Sequence, residues 1–253
     1  MLPIERRKKI VDLLQEKQSV VVPELSKLFN VTEETIRRDL EKLEKEGILK
    51  RTYSGAVIND NTNVDLPLII REITNIEGKQ AIGLKVAQFI EDGETLMLDS
   101  SSTVLQVAKQ IKFKKKMTVI TNSEKIILEL ANAKDCKVIS TGGELKVNSL
   151  SLVGHLAEKA LKNYYVNKAI ISCKGFDMEK GITESNEREA EVKKAMVQSA
   201  EEVFMLVDHT KFDKSSFVKM LDFDKVHYVF TDRKLSNDWE EFLRKKQVKL
   251  VYC

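Results

Sequence analysis

The chain has 253 residues, of which 42% are hydrophobic and 32% charged, and its formal net charge is only +3. This balance is typical of a globular protein with a substantial core and excludes a disordered or strongly polycationic chain. The apolar runs are too short to span a bilayer and the N-terminal segment lacks a signal-peptide core, so we expect a cytoplasmic protein.

The three cysteines are widely spaced and form no CxxC pair. Disulfide and metal frameworks need closer or more regular spacing, so we expect reduced thiols at Cys136, Cys173 and Cys253. The sequence predicts no metal site and no cofactor.

Residues 1–58 predict a small helical domain. Apolar residues at helical spacing indicate one helix over 4–15, a second that contains Val22 and Phe29, and a third that begins after Thr32. Only Asn30-Val31 separates the second helix from the third, which predicts a helix-turn-helix. Because the segment 48–58 predicts two short strands around a turn, the whole is expected to be a winged helix-turn-helix.

The third helix has two distinct faces. Ile36, Leu40 and Leu43 recur at i, i+4 and i+7 and form an apolar face, while polar and basic side chains project from the other. Such a polar face is either simply solvated or meets a partner. Basic residues in the first helix, the third helix and the wing favour DNA as that partner. The residues predicted to contact DNA are Thr32, Thr35, Arg37, Arg38, Lys42, Lys50 and Arg51.

Within this interface, Thr35 and Arg38 are expected to reach base edges in the major groove, and Arg37 a phosphate. Asp39 lies closer to the apolar face, so a structural ion pair is expected there. The basic run at 6–9 has two interpretations of similar weight, a solvated helix end or a DNA contact.

The N-terminal residues resemble a known family. The run TIRRDL at 35–40, the run EKEGIL at 44–49 and the basic wing after them look like the signature of the DeoR family of bacterial transcriptional regulators. Arg6, Ile10 and Leu14 precede these runs at similar spacing. The resemblance implies that this domain binds operator DNA and that a second domain senses a phosphorylated sugar.

Residues 59–78 predict a linker. Asn59-Asp60-Asn61 and Pro67 interrupt the periodicity, so the domain boundary is expected here. The later apolar residues are too many to leave in water and are expected to dock on one of the domains. They are Leu66, Leu68, Ile69, Ile70 and Ile73.

Residues 79–253 predict an α/β domain. Short apolar runs alternate with helix-period stretches from 95 to 251, which indicates a mostly parallel sheet covered on both faces. Small polar residues follow the predicted strands, at the edge where open parallel sheets bind ligands. These exits are 99–103, 121–123, 140–143, 172–175 and 208–211.

The chemistry of the exits favours an anionic sugar. Hydroxyls and backbone N–H groups at the start of the helix after Thr103 suit a phosphate, and Lys174 or Lys211 would supply the countercharge. Asp99 would repel phosphate, so it is expected to accept hydrogen bonds from sugar hydroxyls. The alternative is that these residues only cap helices and form turns.

The exits also resemble the DeoR sensor domain, whose fold is similar to ribose 5-phosphate isomerase. By that likeness, the phosphorylated sugar would be held by Ser101, Ser102, Thr103, Asn122, Gly143 and Lys211. One departure is the segment 173–177, CKGFD, where family members often have a small residue followed by Asp and Gly. It leaves the identity of the effector and the role of Asp177 open.

A sugar-phosphate isomerase with an accessory nucleic-acid module is the alternative from another class. Its carboxylate base would be Asp99, Asp177, Glu184 or Glu187, but the isomerase's glycine-rich lysine loop has no counterpart here. His209 beside Asp208 is expected to be structural, with contact to a ligand as the other possibility.

The sequence therefore predicts a non-enzymatic regulator of carbohydrate metabolism with two partners, double-stranded operator DNA and a phosphorylated sugar. The most favoured form is a repressor relieved by its effector; an activator or a corepressor-dependent repressor is the second. Because operators present two half-sites, a homo-oligomer, dimer or tetramer, is expected.

Overall fold

The computed structural model describes residues 1–17, 19–58 and 66–253 and divides into two compact units, Met1–Asn75 and Ile76–Cys253. Asn59-Asp60-Asn61, where the domain boundary is predicted, lies outside the described residues. Unit 1 contains α1 (Pro3–Lys17), β1 (Ser19–Val21), α2 (Val22–Phe29), α3 (Glu33–Lys45), β2 (Leu49–Arg51), β3 (Gly55–Ile58) and α4 (Leu68–Ile73).

Unit 1 is a winged helix-turn-helix. The apolar faces of its helices meet in one core, with Ile10, Ile36 and Leu40 at most 1% exposed, and each such side chain contributes about 1.5–3 kcal/mol through burial. The turn between α2 and α3 is made by Asn30, whose φ of 51° is left-handed, a conformation that asparagine tolerates.

The wing is a three-stranded antiparallel sheet in the order β1-β3-β2. The sequence predicts β2 and β3 but not β1, whose three residues are too few to show a period. Gly55 is required where β3 meets β1, because a Cβ there would lie 1.8 Å from the Val20 carbonyl oxygen.

The apolar end of the predicted linker docks on the winged helix core. Ile70 of α4 belongs to that core and Leu66 packs against it, while Leu68 is also buried. Ile69 is more than half exposed. The described chain then passes from α4 to unit 2 through Thr74 and Asn75.

Unit 2 is built on a seven-stranded sheet in the order β15-β14-β12-β9-β4-β5-β6, in which every neighbouring pair is parallel. Its first half contains α5 (Ile76–Ala87), β4 (Thr95–Leu98), α6 (Ser102–Ile111), β5 (Met117–Thr121), α7 (Glu124–Leu130), β6 (Cys136–Ser140), β7 (Glu144–Lys146), β8 (Ser151–Val153) and α8 (His155–Leu161). The second half contains β9 (Val166–Ser172), β10 (Gly175–Asp177), β11 (Gly181–Glu184), α9 (Glu187–Gln198), β12 (Ala200–Leu206), β13 (Val218–Leu221), β14 (Tyr228–Thr231), α10 (Asn237–Lys245) and β15 (Lys249–Tyr252).

Two apolar cores cover the faces of this sheet, as expected for parallel strands between helices. One core contains an aromatic group in which Trp239 of α10 packs against Phe176 and Phe212. Its indole N–H donates to Asp213 at 2.9 Å, which satisfies the one polar group of the ring. Among the described residues, no helix combines the length and apolarity needed to cross a bilayer.

The strand order fixes where the sheet can bind a ligand. From β4 the chain adds β5 and β6 on one side, and it then returns to add β9, β12, β14 and β15 on the other. The direction of winding therefore changes between β4 and β9. Open α/β sheets bind ligands beyond the carboxyl ends of the strands at such a switch point.

Candidate DNA interface and effector site

The exposed face of α3 carries the predicted DNA-contacting residues. Thr32 caps the helix, accepting from Thr35 N at 3.3 Å, and the two hydroxyl oxygens lie 2.9 Å apart. Thr32, Arg37, Arg38 and Lys42 are exposed and Thr35 is half-buried. The structure thus brings these five side chains to the solvent side of one helix.

Both arginines of this face pair with acids one turn earlier. Arg38 Nε lies 3.1 Å from Glu34 Oε1, and Arg37 lies 3.5 Å from Glu33 Oε2. Exposed pairs of this kind are worth about 0–1 kcal/mol, so they hold the side chains without binding them firmly. DNA phosphates or bases can displace the acids at little cost.

Arg6 is neither a solvated residue at a helix end nor a candidate DNA contact, the two alternatives given for the basic run at 6–9. It is buried, and its Nε lies 2.5 Å from Asp39 Oδ2, while Arg7 lies 3.7 Å from the other carboxylate oxygen. The structure confirms the ion pair expected at Asp39 and corrects the role of Arg6. The pair joins α1 to α3, so it fixes the helix that presents the residues predicted to contact DNA.

The wing is tied to α3 by a second pair. Glu44 accepts from both the backbone N of Arg51 at 2.8 Å and its Nε at 2.6 Å. Arg51 was predicted to contact DNA, and here its side chain also fixes β2 against α3. Lys50 is exposed beside it, and Tyr53 at the tip of the wing is fully exposed.

In unit 2, the loop after β4 and the start of α6 lie at the switch point. Ser101 Oγ caps α6 by accepting from Val104 N at 3.2 Å, so this serine serves the helix, as the structural alternative predicted. The N–H groups of Ser102 and Thr103 belong to the first turn, where a helix offers them no acceptor. They can donate to an anion, which the helix dipole also favours.

Asp99 has structural partners of its own. It is fully buried, and its two oxygens accept from Ser101 N at 2.9 Å and Ser172 N at 3.0 Å. Acceptance of hydrogen bonds from sugar hydroxyls by Asp99 stays a prediction, and the structure adds a structural role for this carboxylate. Its carboxylate joins the loops that follow β4 and β9.

Lys79 is a cation at this edge that the sequence analysis missed. It lies in the first turn of α5, is 3% exposed, and donates from Nζ to Ser102 Oγ at 3.1 Å. Its helical neighbours Ile82, Gly83 and Val86 form the buried face of α5. A lysine at an apolar helical position is the signal that could have identified it.

Three buried oxygens at the strand exits have no hydrogen-bond partner among the described residues. They are Asn122 Oδ1 after β5, Asp208 Oδ2 after β12 and Thr231 Oγ1 at the end of β14. All three residues are at most 2% exposed. Leaving such atoms unpaired costs about 1–3 kcal/mol each, so a hydroxyl-bearing ligand is one way to satisfy them.

Asp208 is charged despite its burial. Burial works against its ionisation, but Lys211 and Lys79, with hydrogen bonds from Thr210, lower the pKa of Asp208 to about 2. The ionised carboxylate can only accept hydrogen bonds. Lys79 of α5 and Lys211, which follows β12, therefore both stabilise the negative charge of the Asp208 carboxylate.

The remaining predicted residues are more dispersed. Lys174 is half-buried after β9 and donates from its backbone N to Thr183 O at 3.0 Å. Gly143 follows the edge strand β6 and has a left-handed φ of 112°, and a Cβ there would lie 2.7 Å from Val153 O. Packing alone explains this glycine.

His209 makes structural contacts, as the sequence predicts. Asp232 accepts from His209 N at 2.7 Å and lies 2.7 Å from the ring Nδ1. The Cys173 thiol is buried, which raises its pKa above the ordinary value. The thiol is therefore protonated and behaves as a small apolar group.

The carboxylates considered as an isomerase base are mostly engaged elsewhere. Asp177 Oδ1 accepts from the backbone N of Glu179 and of Lys180, closing a turn. Glu184 is buried against Lys193 at 2.5 Å. Neither is placed as the carboxylate of a proton-transfer site.

Family models match both units. A DeoR-like helix-turn-helix domain matches residues 6–62, and a DeoR C-terminal sensor domain matches residues 74–233. The chain is 42% identical over 251 residues to the uncharacterized HTH-type transcriptional regulator YulB of Bacillus subtilis, covering 99% of this chain and 97% of that protein. It is 32% identical over 249 residues to a putative aga operon transcriptional repressor of Escherichia coli O157:H7, covering 98% and 93%.

Solved structures are more distant. Ribose 5-phosphate isomerase A of Methanocaldococcus jannaschii is 14% identical, with a TM-score of 0.40 over 55% of each chain. A likeness at this level concerns the arrangement of strands and helices and is too low to assign a ligand.

Proposed function

Because the chain belongs to the DeoR family of transcriptional regulators, we propose that it represses a carbohydrate operon and that a phosphorylated sugar bound in unit 2 changes its affinity for operator DNA. Binding to DNA follows from the family. What we propose beyond the family is the class of effector, the repressing role, and the residues responsible for each.

The winged helix supports the DNA half of the proposal. Thr35 and Arg38 on the exposed face of α3 would read base edges, while Arg37, Lys42 and Lys50 would lie against phosphates. The buried pair between Arg6 and Asp39 holds α3 against α1, and the exposed pair between Arg51 and Glu44 is a further contact between the wing and α3. A preorganised interface loses less entropy on binding.

One observation supports the proposal that unit 2 binds a phosphorylated sugar. Buried hydrogen-bond acceptors without partners among the described residues lie at the same edge of the sheet as a buried lysine and a helix N-terminus. Asn122 Oδ1 and Asp208 Oδ2 need hydrogen-bond donors, which sugar hydroxyls supply. Lys79, which donates to Ser102, and the N–H groups at Ser102 and Thr103 can all donate to an anion, which a phosphate supplies. A phosphorylated sugar provides both on one molecule.

The repressing role is supported by a relative's name alone. The similar E. coli protein is described as a putative operon repressor. If the effector binds the DNA-competent form more weakly than the other form, it shifts the population away from DNA, with a coupling free energy of typically about 1–3 kcal/mol.

Two measurements test this function with the full-length protein. DNA selected from a random duplex pool by the protein would serve as operator. Thermal shift with a panel of sugars and their phosphates should show a midpoint that rises with concentration for a phosphorylated member only. The same compound should change operator affinity measured by fluorescence anisotropy.

The comparison of each sugar with its phosphate is the internal control. Neutral sugars that stabilise as strongly as their phosphates would contradict the assignment of Lys79 and α6. A compound that is consumed during incubation would support the alternative of a sugar-phosphate enzyme. If no compound of the panel changes the affinity for the selected DNA, the protein is a regulator whose effector does not belong to the proposed class.

A further inference from the structure

A buried lysine of α9 connects three segments beneath the switch point of the sheet. Lys193 Nζ donates to Glu184 Oε2 at 2.5 Å and to the Ser172 carbonyl at 2.9 Å, and it lies 3.3 Å from Asp99 Oδ2. Glu184 ends β11, Ser172 ends β9 and Asp99 follows β4. One ammonium group therefore contacts both loops between which the winding of the sheet reverses.

All the charges in this group are withdrawn from water. Lys193 is 6% exposed, Glu184 is 3% exposed and Asp99 is fully buried. Burial works against the ammonium, but Glu184 and Asp99 raise the pKa of Lys193 above its ordinary value. Burial likewise works against Glu184, but Lys193, aided by Lys174, lowers the pKa of that carboxylate.

Glu189 and Cys173 are two further titratable groups near this cluster, and Lys211 and Asp208 also act on the Cys173 thiol. Glu189 of α9 accepts from Ser151 Oγ at 3.1 Å and pairs with Lys146 at 3.3 Å. The Cys173 thiol next to the cluster is protonated because burial raises its pKa. Of the two carboxylates that contact Lys193, Asp99 is the one that also accepts from the loop before α6.

The position of Asp99 raises an electrostatic difficulty. Its carboxylate accepts from Ser101 N, in the loop whose following amides would hold the effector's phosphate. An uncompensated charge there would repel an anion, and buried charges interact strongly because little water screens them. A buried ion pair is seldom retained for stability alone, since apolar replacements are often as stable.

We propose that Lys193 is a positioning residue of the effector site: its ammonium, shared between Glu184 and Asp99, offsets part of the charge of Asp99, so that this carboxylate can hold the loop after β4 and the end of β9 with less repulsion of a bound phosphate. The inference rests on the effector class proposed above. Lys193 itself does not touch the ligand.

The test uses Lys193→Met, which keeps the length of the side chain and removes its charge. Lys194→Met is the matched control, because Lys194 is the next residue of α9 and pairs with Glu191 at the surface. Inorganic sulfate is the probe, since its charge is constant across the pH range, and chloride keeps the ionic strength equal. The readout is the rise in the thermal midpoint of the full-length protein.

Lys194→Met should keep the wild-type response to sulfate at every pH. Lys193→Met should lose most of it at about pH 8 and regain it towards about pH 5.5, because an unpaired buried carboxylate takes up a proton near neutral pH. Lys193→Arg should restore the response at both. A purely structural defect would reduce the response equally at each pH.

If Lys193→Met does not fold, the double variant Lys193→Met/Glu184→Gln removes one carboxylate together with the amine and should show the same recovery at low pH. The proposed role of Lys193 is overturned if Lys193→Met responds to sulfate as strongly as Lys194→Met at about pH 8. It is also overturned if Lys193→Met loses the response to the same extent at every pH. Either result leaves the proposed effector class untouched. A wild-type protein without any sulfate response overturns the role of Lys193 as well. Equal stabilisation by sugars and their phosphates instead overturns the effector class.

Discussion

At the scale of single residues, unit 1 depends on one buried carboxylate. Asp39 lies on the buried side of α3, where its carboxylate contacts Arg6 and Arg7 of α1, and Arg6 is itself only 6% exposed. A buried pair of this kind contributes little relative to apolar residues of the same shape, but breaking it leaves a charge without a partner in the core. The cost therefore lies in removing one member.

We expect Asp39→Ala to lower the local stability of unit 1 by about 3–5 kcal/mol, because the Arg6 guanidinium stays buried without its counterion. Glu34→Ala, which breaks only the exposed pair with Arg38, should cost less than about 1 kcal/mol. Hydrogen exchange of the full-length protein, read at α1 and α3, measures both changes. Equal protection in the two variants would contradict a structural role for Asp39.

A second residue-scale prediction concerns Lys79. Lys79→Met should weaken the binding of a phosphorylated effector at least tenfold, about 1.4 kcal/mol, because the charge-assisted contact to the phosphate is lost. Lys85→Met, on the same helix one and a half turns later, should bind as the wild type does. Isothermal titration calorimetry measures both affinities, and operator affinity without effector should be unchanged in each.

Single side chains show where prediction from sequence ends. The position of Asp39 near an apolar helix face predicted an ion pair, but its partner lies 33 residues earlier and depends on how α1 packs. The place of Asp99 after a strand predicts a contact with the ligand, but only the structure shows that its oxygens also accept from the backbone of Ser101 and Ser172. A hydrogen-bond or ion-pair partner that is brought close only by tertiary packing produces no local pattern in the sequence.

At the scale of elements, the long buried strands and the amphipathic helices were predictable because burial imposes a period on their sequence. The strands that were missed are short and antiparallel, as in the hairpin β7–β8 and the sheet β10-β11-β13. Each has three or four residues, too few to show alternation. The polar segments predicted to follow the strands lie at one edge of the sheet, because parallel strands all end at the same edge; their binding of a ligand stays a prediction.

The DNA-contacting helix gives a prediction at this scale. Arg38→Ala should weaken binding to the selected operator by about 1–3 kcal/mol and relax the preference at one base pair, because a bidentate base contact is lost. Lys50→Ala should instead weaken all sequences alike and reduce the salt dependence by about one unit. Fluorescence anisotropy over a salt series separates them, with Arg244→Ala in α10 as the neutral control.

The contrast between the two variants is what tests the assignment. If Arg38→Ala behaved as Lys50→Ala does, with no change in base preference, α3 would contact the backbone only. If neither variant differed from Arg244→Ala, the exposed face of α3 would not be the DNA interface.

At the scale of the whole molecule, unit 1 carries a single α3, the helix proposed to contact DNA. One helix in one major groove reads only a few base pairs, so a specific operator requires two copies of the chain on two half-sites. We therefore expect the full-length protein to bind as a dimer or higher even oligomer. Two rigidly spaced helices would make affinity depend on the distance between the half-sites.

This expectation leads to a test by DNA spacing. Inserting about 5 base pairs between the half-sites turns one of them to the opposite side of the duplex and should reduce affinity at least tenfold, whereas inserting about 10 should restore part of it. A single half-site should bind about as weakly as the 5-base-pair insertion. If the isolated half-site bound as tightly as the intact operator, one chain would suffice, and the effector would then have to act within a single α3 rather than on the placement of two.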